Sequence, residues 1–307
     1  MAFKVITAAV LSALRLVFSK AFKDGLGSAP TDWQKVAMEM PSTSATNLYG
    51  WLTKIPKMRE WIGDRVLNRL RTQGYSLTNK KFEDSIAVDR VDIEDDNVGM
   101  YGSLFEALGE AAGEHVDEMV FTALKNGHAE VCHDGQPYFN ANHPIYVGEE
   151  ETASAFQSNV LLPAAGETAG PAWYLMDARK KIKPIIYQNR VPATLTSMTS
   201  ESDEAMFMRD EFRFGVRARR AVGYTYPQLA IRSTAPLTEA NYEKAKVMLK
   251  RMETDNHRKL NLKPSLLVVP TGMEGAAKKL IKAEQVNGTT NVNQDEVEIL
   301  ATVFIDD

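Results

Sequence analysis

Apolar residues keep helical spacing over two stretches of the chain. In the longer, residues 91 to 128, one stripe runs through Tyr101, Leu104, Phe105, Leu108, Ala112, Val116, Met119, Val120, Ala123 and Leu124. It predicts a helix near 97–126, about 40 Å long at 1.5 Å per residue. Asp95, Asp96 and Asn97 are placed to cap its start, and Lys125 followed by Asn126-Gly127 marks its stop. Gly102, Gly109 and Gly113 weaken a helix unless a neighbouring backbone approaches closely. The shorter stretch places Val10, Leu14, Val17 and Phe18 on one face beside Arg15 and Lys20, which predicts an amphipathic arm that seeks a partner surface. "KDGLGSAPTDW" (23 to 33) then reads as a turn-rich linker and "EMPSTSATN" (39 to 47) as a polar break.

Alternation takes over elsewhere. In 74 to 90, Tyr75 and Leu77 and then Phe82, Ile86 and Val88 alternate with polar residues around "NKK", which predicts a β-hairpin that must lie on something else. Residues 173 to 189 offer two short strands. Residues 210 to 233 offer long ones, with Phe212, Phe214, Val216 and Ala218 set against Arg213, Arg217 and Arg219. A helix over 237–256 has Thr238 as its cap, "PSLLVVP" (264 to 270) reads as a buried strand, and a further helix covers 271–284. Residues 145 to 171 carry little pattern. This mixed order predicts an α+β fold, not a doubly wound sheet.

Composition narrows the function. The chain has 307 residues, 44% hydrophobic and 25% charged, with a net charge of −4. Slight acidity argues against tight non-specific DNA binding, which rests on phosphate neutralisation. A single cysteine, Cys132, excludes an internal disulfide framework. The apolar N-terminal run is interrupted by Arg15 and Lys20 and is too short to span a bilayer, so no membrane role is expected.

The candidate chemical sites each have a simpler reading. Cys132-His133-Asp134 suggests a nucleophile and base, but the Asp134-Gly135 turn explains it as a surface loop. His128, Cys132, His133 and His143 lack zinc spacing. "DIEDDN" (92 to 97) lacks the glycine and glutamate of a calcium loop, and Gly272-x-x-Gly275 alone is a weak phosphate signal. No catalytic residue, metal ligand or cofactor is expected. The dense basic run Arg213, Arg217, Arg219 and Arg220 allows a nucleic-acid-binding alternative, in which it faces DNA phosphates.

Seven segments in order carry a resemblance: "YGWLTKIPKMREWIGDR" (49 to 65), "GYSLTNKKFE" (74 to 83), "VDIEDDNVGMY" (91 to 101), "DGQPYFNANHP" (134 to 144), "WYLMDARKKIKPIIYQ" (173 to 188), "EFRFGVRARRAVGY" (211 to 224) and "LKPSLLVVPTGMEGAAKKL" (262 to 280). From about residue 22 onward the chain resembles the Mu-like bacteriophage major head protein family. The resemblance implies an HK97-like capsid fold: an N-terminal arm (1–45), an extended β-hairpin loop (46–94), a peripheral domain with a spine helix (95–145) and peripheral strands (201–235). The axial domain would be split between 146–200 and 236–307. In many such proteins the segment like 262–280 precedes the strands like 211–224. Here it follows them, so the axial domain is expected to be discontinuous. The implied function is a self-assembling shell of hexamers and pentamers around double-stranded DNA, in the virion, assembled in the bacterial cytoplasm. Implied partners are scaffold, maturation protease and portal proteins, with decoration proteins outside and loose DNA contact inside.

Residues 49 to 65 combine aromatic area with mixed charge, as suits subunits that must meet yet stay soluble beforehand. Trp51, Lys57, Arg59, Glu60, Trp61, Asp64 and Arg65 are therefore the expected inter-subunit contacts. In the alternative, Trp51 and Trp61 pack on their own subunit.

Overall fold

The structure is a computed structural model that describes residues 6–53, 74–95, 98–147, 153–200, 202–286 and 289–306. Its longest helix, α4 (Gly99–Asn126), follows the predicted stripe and buries Phe105, Leu108, Val116, Val120 and Leu124. Phe121 adds to that face, and the Tyr224 hydroxyl closes the C-terminal end by donating to Ala123 O at 2.7 Å. Helix α1 (Ala8–Ser28) packs along α4, with the Phe18 and Phe105 rings stacked at 4.4 Å. The expected linker at 23–33 is thus helical as far as Ser28. Glycine explains the error. A Cβ on Gly25 would sit 2.0 Å from Glu106 O, and one on Gly109 would sit 2.1 Å from Phe22 O. Gly25, which looks like part of a turn, is what lets the two backbones touch, whereas a Cβ on Gly27 would meet nothing within 4 Å. The arm packs on its own subunit through Phe18 and Phe22, which are buried, while Leu16 and Val17 remain exposed.

Shorter helices are α2 (Trp33–Val36), α3 (Arg90–Glu94), α5 (Glu204–Arg209), α6 (Glu239–Arg251) and α7 (Glu274–Lys282). Thr238 caps α6 as predicted, accepting from Asn241 N at 3.3 Å. Asp117 of α4 accepts from the backbone N–H groups of Asp32 and Trp33, both at 2.9 Å, and so ties the start of α2 to the long helix. Burial pushes the Asp117 carboxyl up, while those two N–H groups oppose the shift.

A four-stranded sheet runs β1 (Ala37–Pro41), β9 (Ile185–Met198), β10 (Glu211–Tyr224), β4 (Lys80–Asp89). β1 is parallel to β9, and the other pairs are antiparallel. The predicted 74–90 hairpin is not formed. Its two strands exist, but β3 (Tyr75–Thr78) pairs with β2 (Thr46–Tyr49), and β4 pairs with β10. Asn79 between them is buried and donates to Ser42 Oγ and Ser44 O, both at 3.0 Å, which fixes the break. A thinly apolar pair is marginal alone, and the apolar side of β10 is the better partner. The "polar break" at 39–47 is accordingly two strand ends and a turn.

A five-stranded sheet runs β17 (Glu298–Thr302), β14 (Leu266–Pro270), β8 (Trp173–Met176), β11 (Ala230–Ser233), β7 (Val160–Leu161). β8 and β14 are buried at every position. Trp173 and Leu175 face α6 and α7, whereas Tyr174 and Met176 face α4. Two-stranded ribbons complete the fold: β5 (His143–Ile145) with β6 (Ala155–Gln157), β12 (Glu253–Thr254) with β13 (Arg258–Lys259), and β15 (Gln285–Val286) with β16 (Thr289–Thr290). The class is α+β, as expected.

Candidate assembly surface

The β2–β3 ribbon forms a stem at the two ends of segment 50–74. It is held down from below: Tyr49 donates its hydroxyl to Gln188 Oε1 at 2.5 Å, and the Gln188 amide donates to Asn79 Oδ1 at 2.8 Å. Trp51 follows the stem and lies edge-on to Tyr49 and Tyr226, with ring centroids at 6.4 and 6.0 Å. It is half-buried and packs against the core of its own subunit. Lys57, Arg59, Glu60, Trp61, Asp64 and Arg65 lie outside the described residues.

The arginine strand divides by parity. On β10, Phe212, Phe214, Val216, Ala218 and Arg220 all point inward, and Arg213, Arg217 and Arg219 point outward. Arg213 is committed to Glu211, donating at 2.5 and 2.8 Å; Arg217 is exposed and Arg219 half-buried. Arg220 is only 3% exposed, so its assignment to a DNA-facing set is corrected. The even-numbered alternation itself puts it on the apolar side, a signal that charge density obscured. Beyond this strand, Phe207 and Met208 of α5 are 86% and 68% exposed at the turn that joins β9 to β10. Sequence reading passed over them because α5 is too short for a stripe to show.

The residues considered for chemistry satisfy one another. Cys132 donates its thiol to Asp134 Oδ1 at 3.0 Å, Asp134 Oδ2 lies 2.6 Å from His143 Nδ1, and His143 Nε2 reaches Tyr138 O at 3.1 Å. Their ligating atoms fall within 4.8 Å of one another. The carboxylate accepts from the thiol and from Gln136 N–H at 3.0 Å and pairs with the imidazole, so the three groups are joined to one another. Burial and the Asp134 charge push the Cys132 thiol well up, opposite to what a nucleophile needs. Burial lowers His133, and His128 sits on Lys125 O. Asp92 accepts from the Tyr101 hydroxyl at 2.5 Å, while Asp96 and Asn97 lie outside the described residues. At the Gly272 turn, Asp306 of the same chain accepts Thr271 N–H at 2.8 Å, where a phosphate would otherwise sit. These groups tie together the loops that carry them.

Comparison with known proteins agrees. The family model for the Mu-like prophage major head subunit gpT matches residues 11–305. The Mu-like prophage FluMu major head subunit of Haemophilus influenzae is 41% identical over 279 residues, covering 91% of each chain. The major capsid protein of Escherichia phage Mu is 37% identical over 292 residues, covering 95% of each. Among solved structures, a chain of the bacteriophage JBD30 procapsid superposes with a TM-score of 0.87 at 46% identity, covering 97% of this chain and all of that one. The JBD30 capsid gives 0.77 at 34% identity, covering 99% and 100%. The comparisons lend no support to the nucleic-acid-binding alternative. With a family model matched over residues 11–305 and relatives 41% and 37% identical over most of the chain, this chain belongs to the Mu-like major head subunit family of phage capsid proteins.

Proposed function

We propose that the chain closes as hexamers and pentamers into an icosahedral shell around double-stranded DNA, acting structurally and without an active site. The observation that carries this reading is the unbroken match of residues 11–305 to a head-subunit family. Assembly in the bacterial cytoplasm with scaffold, maturation protease and portal proteins belongs to the same reading. One JBD30 capsid structure is described as decorated with minor capsid protein trimers, which makes decoration of this shell part of the proposal. We assign the peripheral part to α4 and the β1–β9–β10–β4 sheet. The axial part is the five-stranded sheet with α6 and α7, which draws its strands from both sides of β9 and β10. This assignment takes β1 out of the arm expected at 1–45 and β4 out of the extended loop expected at 46–94, and it exchanges β9 and β11 between the parts expected at 146–200 and 201–235.

Negative-stain microscopy of the purified chain tests the reading, and closed shells, tubes or capsomer rings are expected. Salt-resistant, sequence-specific DNA binding by particle-free protein would defeat it. Within the shell reading, Trp61 and Arg59 are proposed as contacts, because these residue types dominate interface hot spots, where truncation costs about 2 kcal/mol or more. Trp61→Ala and Arg59→Ala should raise the concentration at which particles appear and leave subunit melting nearly unchanged. A Trp61→Ala subunit that melts early yet assembles at the wild-type threshold would place the indole in its own core.

A further inference from the structure

A cavity of about 210 Å³ lies between α4 and the sheet face formed by β4, β9 and β10. Leu108, Ala111 and Ala112 of α4 form one wall, and Ala193, Val216 and Ala218 form the other. Small side chains on both sides explain why the space exists. Arg220 stands at one end. Its guanidinium is almost wholly buried, and one Nη donates to Ala112 O at 3.0 Å and lies 3.3 Å from His115 Nδ1. Its Nε is buried without an acceptor, and no carboxylate among the described residues pairs with it. Burial depresses its pKa, opposed by the Tyr187 phenol and by no carboxylate. Burial and the Arg220 charge also lower His115, which suits a neutral ring that accepts from the guanidinium. The cross-strand neighbour of Arg220 is Lys80, which is exposed and adds a second cation to that end. Glu83 and Asp84, both exposed, also line it. The cavity therefore has apolar walls, one buried cation and two exposed carboxylates.

A buried guanidinium without a carboxylate is expensive, and such groups are normally paired. We propose that this cavity is completed in the assembled shell by a second copy of the chain, which inserts a carboxylate side chain toward Arg220 and an adjoining apolar group against the alanine walls. This inference rests on the shell-subunit reading. Charge complementarity selects the carboxylate, and the apolar walls select a side chain over an inorganic anion. The volume admits one or two side chains and excludes a helix. In a shell, identical subunits supply such a group at high effective concentration, so a contact weak by itself becomes occupied.

The test supplies the carboxylate from within. Ala111→Glu places an acid on the exposed wall of the cavity, one turn before His115, and Ala107→Glu adds the same charge to an exposed α4 position outside it. Ala111→Glu should melt at or above wild type while its assembly threshold rises at least about fivefold, and Ala107→Glu should assemble as wild type. Arg220→Met should likewise weaken assembly while the subunit stays folded; if it unfolds, the Ala111→Glu result decides. Assembly of Ala111→Glu at the wild-type threshold, from a wild-type chain that does form particles, overturns the proposal alone. Failure of the wild-type chain to form any particle defeats the shell reading and takes this inference with it. If propionate raises the melting of the free subunit while Ala111→Glu assembles normally, the cavity is a small-carboxylate site and the inter-subunit proposal is overturned.

Discussion

Glycine has opposite meanings at positions seven residues apart on α4. A Cβ at Gly109 would lie 2.1 Å from Phe22 O and 2.7 Å from Leu26 N, both backbone atoms that cannot swing aside. A Cβ at Gly102 would meet nothing within 4 Å. Gly109→Ala must therefore push α1 off α4, and overpacking of this kind destabilises by about 1–3 kcal/mol or more. Gly102→Ala removes only the conformational freedom of a half-buried helix position with room for a methyl and should stabilise by up to about 1 kcal/mol. Urea melts of both variants check this, and a neutral Gly109→Ala would show that the two helices are not in backbone contact. The same residue-level view explains what sequence reading could see here. It registered Gly102, Gly109 and Gly113 alike as signs of close approach, which fails at Gly102, and it could not register which backbone arrives. Gly25 and Gly27 therefore looked like a turn, although Gly25 is the matching half of that contact.

At the scale of elements, what was legible is what is local. The α4 stripe, the Thr238 cap of α6 and the buried run Leu266–Pro270 all depend on neighbours within a few residues, and each stands where the pattern put it. Strand partners do not work that way. Period-2 alternation marks Tyr75–Thr78 and Lys80–Asp89 as strands, yet it is silent on whether they pair with each other or with β2 and β10. The parallel β1–β9 pair spans about 150 residues of chain and has no local signature at all. Side-chain ties across such distances are equally hidden, and Asp177 is the strongest case. Its fully buried carboxylate accepts from Arg179 at 2.7 and 2.9 Å and from Lys263 N–H at 3.0 Å, joining the loop after β8 to the loop before β14. Burial opposes its ionisation, but the Arg179 guanidinium and the two backbone N–H groups outweigh burial and hold the pKa below the ordinary value. A folded pKa below the unfolded one gives stability that is present above about pH 4 and is lost as pH falls through the folded value. Asp177→Asn should therefore lose about 1.5–3 kcal/mol near neutrality, and the gap to wild type should close toward about pH 2. Urea midpoints of both proteins across that range decide it, since a gap that persists in acid would mean that the charge is not what holds the loops.

The whole molecule raises the question of whether its peripheral and axial parts melt separately. Three apolar clusters make up the core of the described residues, and they share elements. α4 contributes Phe105 and Leu108 to the cluster under α1, and Val116, Val120 and Leu124 to the cluster over the five-stranded sheet. β8 contributes Tyr174 and Met176 to that second cluster, and Trp173 and Leu175 to the third, beneath α6 and α7. Disturbing β8 thus exposes two clusters, and the loss of the one over the five-stranded sheet takes away one side of α4. Trp173 is the sharpest probe: it is fully buried, and its indole N–H donates to Ala235 O at 2.7 Å. Trp173→Ala should cost about 3–5 kcal/mol through the cavity and the unpaired carbonyl. Because the clusters are linked through β8 and α4, the loss should lower one calorimetric transition as a unit, and amides of α1 should exchange earlier along with those of β8. Two transitions, only one of which moves, would instead mean that the axial part unfolds alone. A shell subunit gains from the linked arrangement, since a load arriving at one edge meets the whole core and not a hinge between two.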